Sequence, residues 1–148
     1  AGYSASRRIR GVVLHDILSR VEVPSDLKNA VDVAVRSGEL TAIEAEQAYV
    51  HLDDGIRKMQ EEYGWFPDYG AKVLNEVEVM DTDGAVYRPD RVVEKDGHVV
   101  IVDYKFGAHR PSYERQLRRY SDIWSRMGRG DVSAYLWYVH TGEVMRIV

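Results

Sequence analysis

The chain has 148 residues, a net charge of −4 and no cysteine. That length is about one domain's worth and buries a core without staples, while the missing thiols exclude disulfides, thiolate zinc sites, iron–sulfur clusters and cysteine nucleophiles. No apolar run approaches the ~18 residues of a membrane span and no signal peptide precedes the first helix, so the expected location is the cytoplasm.

Ser4 or Ser6 can cap a helix over 4–21, in which Ile9, Val13, Ile17 and Val21 form an i, i+4 apolar stripe. Pro24-Ser25-Asp26 opens a second helix to about residue 37, stopped by Gly38. Thr41-Ala42-Ile43-Glu44 fits a capping box and starts a third helix to about Tyr63. A loop follows from Gly64 to Gly70, containing Trp65, Phe66 and Pro67. Strands are expected over 72–80, 86–93 and 98–106, joined by turns at 81–84 and at Asp96-Gly97. Pro111-Ser112 begins a helix to about Met127, stopped by Gly128. Two more strands, 132–140 and 143–147, turn about Thr141-Gly142. The order ααα-βββ-α-ββ predicts a mixed α+β domain with a central mixed sheet of about five strands flanked by helices. The expected organisation is one unit, 1–148, with N-terminal helices over 7–70 and a core over 71–148. Position 1 is Ala rather than Met, and the expected parent is a larger chain.

The turn chemistry sets a register. With Asp96-Gly97 as a two-residue hairpin loop, paired residue numbers sum to 193, and Asp90 faces Asp103. With Thr82-Asp83-Gly84 as a three-residue loop, pairs sum to 166, and Glu76 faces Asp90. Directly opposed side chains have Cβ atoms ~4.5–5.5 Å apart, where like charges repel. Lys105 shares the face of Asp103, as do the apolar Val99 and Ile101. A row of acids beside apolar surface calls for a cation, and oxygen donors suit a hard ion such as Mg²⁺, or Mn²⁺ in its place. Pro89 cannot donate to a ladder, which predicts a bulge or edge beside Asp90.

Arg88-Pro89-Asp90 followed by Ile101-Val102-Asp103-Tyr104-Lys105 resembles the core of the PD-(D/E)xK nucleases. Gly11-Val12-Val13-Leu14-His15 resembles the Gly-x-x-x-His helix that precedes the core in the RecB-type members. Glu76 stands where they carry a glutamate, and Tyr113-x-x-Gln116-Leu117-x-x-Tyr120 resembles their helical Gln-x-x-x-Tyr motif. The likeness extends over roughly 7–148 and is strongest to the nuclease domain of RecB/AddA-type, UvrD-like helicase–nucleases, the exonuclease V class. The family usually has glycine or a small residue where this chain has Arg88-Pro89.

The resemblance implies a restriction-endonuclease-like core and Mg²⁺-dependent hydrolysis of DNA, in processing of ends for double-strand break repair and recombination. It implies that Asp90, Asp103, His15 and the carbonyl of Tyr104 are metal ligands. Lys105 would orient or deprotonate the attacking water, and Glu76, with Glu78 as its rival, would hold a water or a second metal. Gln116 and Tyr120 would contact DNA or position Lys105. The implied partners are single- and double-stranded DNA ends, the helicase domains of the parent chain and a second helicase–nuclease subunit, with no membrane.

Charge patterning fits a solvated helix face, and it also leaves room for a local nucleic-acid surface. Residues 22–62 carry ten acids against four bases, whereas 105–129 carry seven bases against two acids. In the latter stretch Arg115, Arg118 and Arg119 are expected to hold phosphates, and Trp65 and Phe66 either stack on bases or pack their loop. The alternatives are an inactive nuclease-like module that holds single strands, a free-standing exonuclease or RNA-processing enzyme of the same superfamily, and an acidic interaction domain.

Overall fold

The computed structural model describes residues 9–75, 77–128 and 131–148. Its helices are α1 (Gly11–Ser19), α2 (Leu27–Arg36), α3 (Ala42–Tyr63) and α4 (Pro111–Arg126). Its strands are β1 (Lys72–Asn75), β2 (Val79–Met80), β3 (Val86–Tyr87), β4 (Arg91–Lys95), β5 (His98–Lys105), β6 (Asp131–Tyr138) and β7 (Glu143–Arg146). A five-stranded mixed sheet runs β1-β4-β5-β6-β7, and β2 and β3 form a separate two-stranded ribbon. The mixed α+β expectation is met.

Local chemistry explains the boundaries. The Thr41 hydroxyl accepts from the Glu44 N–H at 3.2 Å while the Glu44 carboxylate accepts from the Thr41 N–H at 2.9 Å, the expected capping box. At the other end of α3, Gly64 takes the left-handed conformation at φ 74°. The β4–β5 hairpin turns on Asp96 and Gly97, both at positive φ, which a two-residue turn matched to strand twist requires. Pro111 sits in the first turn of α4, where its missing N–H is no loss.

β5 and β6 are parallel, and α4 is the crossover between them. It covers one face of the sheet, packing Leu117, Tyr120, Ile123 and Trp124 against Val92, Val99, Ile101, Ala134 and Leu136. The other face packs Val102, Tyr104 and Trp137 against α1, α2, α3 and the loop residues Trp65 and Phe66. Those two aromatics are each only 1% exposed, so the loop-packing reading holds over base stacking. β5 is thus buried on both faces and carries Asp103 and Lys105 to its C-terminal end.

Several expected elements are corrected. The first helix begins at Gly11, and residues 4–8 of its predicted span lie outside the described residues. Residues 24–26 form a turn of 3₁₀ helix before α2. The long strand expected over 72–80 is two, β1 and β2, and the one over 86–93 is β3 and β4. Pairs still sum to 166 on both sides of the break, from Lys72↔Glu94 to Met80↔Val86. The interruption therefore takes the same number of residues from each strand. Pro89 has no N–H for the ladder, and Leu74, Val77 and Val79 all join the α4-side cluster, so strict alternation fails between them.

Candidate active site

The hairpin register is the one the turn demands. Lys95 pairs with His98 and Arg91 with Val102, so the next position outward sets Asp90 against Asp103. Both are buried, at 8% and 6% exposure. The Asp90 carboxylate also accepts from the Tyr104 N–H at 2.8 Å, which ties the residue after Pro89 to β5. Lys105, two residues beyond Asp103 on the same face, brings Nζ within 2.9 Å of Asp103 Oδ2.

His15 arrives from α1 and places Nε2 2.6 Å from Asp90 Oδ1. Gly11, one turn earlier, makes this approach possible: a Cβ there would lie 2.7 Å from Cβ of Phe106, just past the end of β5. Gly11→Ala is expected to push α1 away from β5, lowering stability by about 1–3 kcal/mol. It should also cut activity by displacing His15. Thermal unfolding and a cleavage assay on the same preparation check both, and an unchanged melting temperature would refute the close-packing account.

The charges within this group are strongly coupled. Burial pushes the Asp103 carboxyl up to about 7, the adjacent Asp90 charge adds to it, and the Lys105 ammonium only partly opposes them. Burial also acts on Asp90, but hydrogen bonds from His15, Asp103 and the Tyr104 N–H outweigh it and hold Asp90 below the usual carboxylate range. Burial and the facing charge thus disfavour ionising both carboxyls at once, and Asp103 is the one pushed toward its neutral form.

Tyr120 stands behind this pair on α4. Its hydroxyl accepts from the Arg88 N–H at 3.1 Å, and its ring meets Tyr87 edge-on at 5.1 Å. It thus anchors the segment that presents Asp90. Gln116, one turn earlier, is exposed. Arg115 and Arg118 are exposed, but Arg119 turns to the β2–β3 loop, 2.6 Å from Asp83 and 3.3 Å from Asp81. Its guanidinium is ion-paired with that loop but stays at the surface, with the side chain 48% exposed. Glu78 is exposed and paired with Arg88, away from the two aspartates. Glu76 lies outside the described residues. The Tyr104 side chain points to the opposite face, packing edge-on to Trp137, so only its backbone faces the pair.

A family model of the PD-(D/E)XK nuclease superfamily matches residues 1–146. The chain belongs to that superfamily. No curated protein matches it. Among solved structures it is similar to one described as the crystal structure of SSO0001, at 16% identity and a TM-score of 0.38. That alignment covers 89% of this chain, which spans 64% of the other's length. The five-stranded mixed sheet with helices on both faces is the restriction-endonuclease-like architecture of a PD-(D/E)XK nuclease.

PD-(D/E)XK nucleases generally use a divalent cation such as Mg²⁺. Among the described residues, no three His, Asp or Glu side chains stand together as a ready-made cation site. His15 contacts one oxygen of Asp90 and Lys105 one oxygen of Asp103. The donor chemistry nonetheless suits a hard dication, since two buried carboxylates keep a proton that such an ion would replace. Mg²⁺ binding is accordingly expected to release roughly half a proton at pH 7 and about one below pH 6, with affinity rising as pH climbs through the Asp103 value. Calorimetry in two buffers of different ionisation enthalpy checks this. Identical apparent enthalpies would rule out the displaced proton.

Two features of this PD-(D/E)XK superfamily domain are not marked in its sequence. Arg91, next to Asp90, is fully buried and faces the α1–α3 layer. Tyr113, given no role by the motif resemblance, lies with its ring 4.3 Å from Lys105 Nζ. Strand alternation from Asp90 would have sent Arg91 inward, but nothing local showed that carbonyls awaited it there.

Proposed function

We propose that this domain hydrolyses phosphodiester bonds of DNA with Mg²⁺ or Mn²⁺. We further propose that it serves as the nuclease unit of a RecB/AddA-type helicase–nuclease that processes DNA ends for double-strand break repair and recombination. The supporting observation is the convergence of four side chains from two distant parts of the chain, with His15 on Asp90, Asp103 opposite Asp90, and Lys105 on Asp103. A purely structural cluster would not set two buried carboxylates against each other, because the repulsion is destabilising.

In this reading Asp90 and Asp103 would hold a dication, with His15 and the Tyr104 carbonyl as further donors, and the ion would supply charge for the phosphate and lower the pKa of water. Lys105 has three N–H donors, of which Asp103 takes one, and the others orient the attacking water and a phosphate oxygen. The water oxygen bonds to phosphorus and its proton passes to bulk solvent, while the bond to the leaving oxygen breaks and that oxygen takes a proton from solvent to become the hydroxyl. Arg115 and Arg118 hold the backbone, so recognition follows phosphates and not base sequence. Gln116 lies one turn from Tyr120 on the same helix face and contacts DNA. Glu76 is assigned a water or a second ion.

The test is incubation of the protein with linear single- and double-stranded DNA and Mg²⁺ or Mn²⁺, with and without chelator. Cleavage that the chelator abolishes is the expected result. DNA binding without cleavage would overturn the enzymatic reading in favour of a holding module.

A further inference from the structure

Lys105 is held from more than one side, and only the Asp103 contact follows from the motif. On the α4 side the ring of Tyr113 lies 4.3 Å from Nζ, within cation–π range. Tyr113 is in the first turn of α4, and its N–H bonds the Arg110 carbonyl at 3.0 Å, so its backbone is fixed. Its ring is braced by His109, edge-on at 6.2 Å. His109 is itself pinned at both nitrogens: one contacts the Tyr138 hydroxyl, and the other lies 2.8 Å from Glu114. Tyr138 is the direct cross-strand partner of Lys105. The loop between β5 and α4 therefore closes a ring of contacts around one ammonium group.

We propose that Tyr113 is a positioning residue for Lys105, its ring forming the wall opposite Asp103 that fixes where Nζ stands, with His109 as the brace. This rests on the nuclease reading above, and it separates the work of Tyr113 from that of Gln116 and Tyr120. A lysine has four rotatable bonds in its stem, and one ion pair leaves it several ways to reach the same carboxylate. An aromatic face removes most of them.

Two readouts test this. In lysine-labelled protein, the Lys105 ε-methylene resonance should be shifted upfield by the ring, with assignment by its loss in Lys105→Arg. The shift should persist in Tyr113→Phe and collapse to that of exposed lysines in Tyr113→Leu, with no need for turnover. In the cleavage assay, Tyr113→Leu should lose about tenfold in kcat with KM within about twofold, and Tyr113→Phe should restore it. Should the leucine variant fail to fold, Tyr113→Met fills more of the space and is expected to show the same loss. An unshifted wild-type resonance, or full kcat in the leucine or methionine variant, overturns the proposal. Equal loss in Tyr113→Phe also overturns it, since the hydroxyl and not the ring would then matter. Absence of any cleavage by wild-type protein would instead overturn the nuclease reading itself, and the positioning role with it.

Discussion

Asp103→Asn is expected to reduce DNA cleavage by on the order of 10³-fold or more in kcat/KM while leaving the metal-free protein folded. The amide keeps the volume of the side chain but removes the charge that a dication needs, and it leaves Lys105 without its anionic partner. The effect on stability runs the other way. Asp103 has its carboxyl pushed up to about 7 in the folded state, chiefly by burial. Between the ordinary carboxylate range and that value the folded protein binds more protons than the unfolded chain, so the wild type loses stability as pH rises across this window. The asparagine variant lacks this contribution. Its melting temperature relative to wild type should therefore rise from pH 4 to pH 8, measured without divalent ions. Retained cleavage would remove Asp103 from the active site, and a large fall in melting temperature at pH 8 would make it a structural residue.

Arg91→Met is expected to destabilise the fold by about 3–5 kcal/mol, or roughly 10–15 °C in melting temperature. The guanidinium is fully buried and donates to the carbonyls of Trp65 at 2.7 Å, Val21 at 2.7 Å and Glu22 at 2.6 Å. It also stacks on Phe66, 3.9 Å from the ring centre. Burial draws its basicity down, with Glu22 and Asp26 as the nearby acids that oppose this. Methionine would fill most of the stem's volume but leave the Trp65 and Glu22 carbonyls unmet and the Val21 carbonyl with only the Asn75 amide at 3.2 Å, each lost bond amounting to about 1–3 kcal/mol before relaxation. Lysine would not rescue it, because a single ammonium cannot span three acceptors set for a planar fork. Urea unfolding measures the change, and a loss below about 1 kcal/mol would show that the three bonds are replaceable by water.

Much of the candidate site was legible because turn chemistry is local. Asp96-Gly97 demands one loop length, that length sets the pairing, and the pairing opposes Asp90 to Asp103. Gly11 four residues before His15 likewise signalled a close approach on the face of a helix, and Phe106 is what approaches. The break between β1 and β2 was hidden because β3 and β4 break by the same amount, leaving every pair sum at 166. The fate of Arg119 was hidden for a different reason: a basic run shows where cations lie, whereas Asp81 and Asp83 reach it only through tertiary contact. Arg91 and Tyr113 were illegible alike, since a carbonyl cluster and a ring face leave no mark in residue spacing.

The alternation of a single strand has a further consequence at Asp90 and Arg91. Asp90 looks toward His15 at the candidate site and Arg91 toward the carbonyls between layers, so a backbone shift that moves the first also drags the second. Evolutionary drift at this dipeptide is therefore constrained from two directions at once. Selection for altered cleavage should find its permissive sites on α4 and the adjoining loop, where a side chain can change without loosening the helical layer behind the sheet.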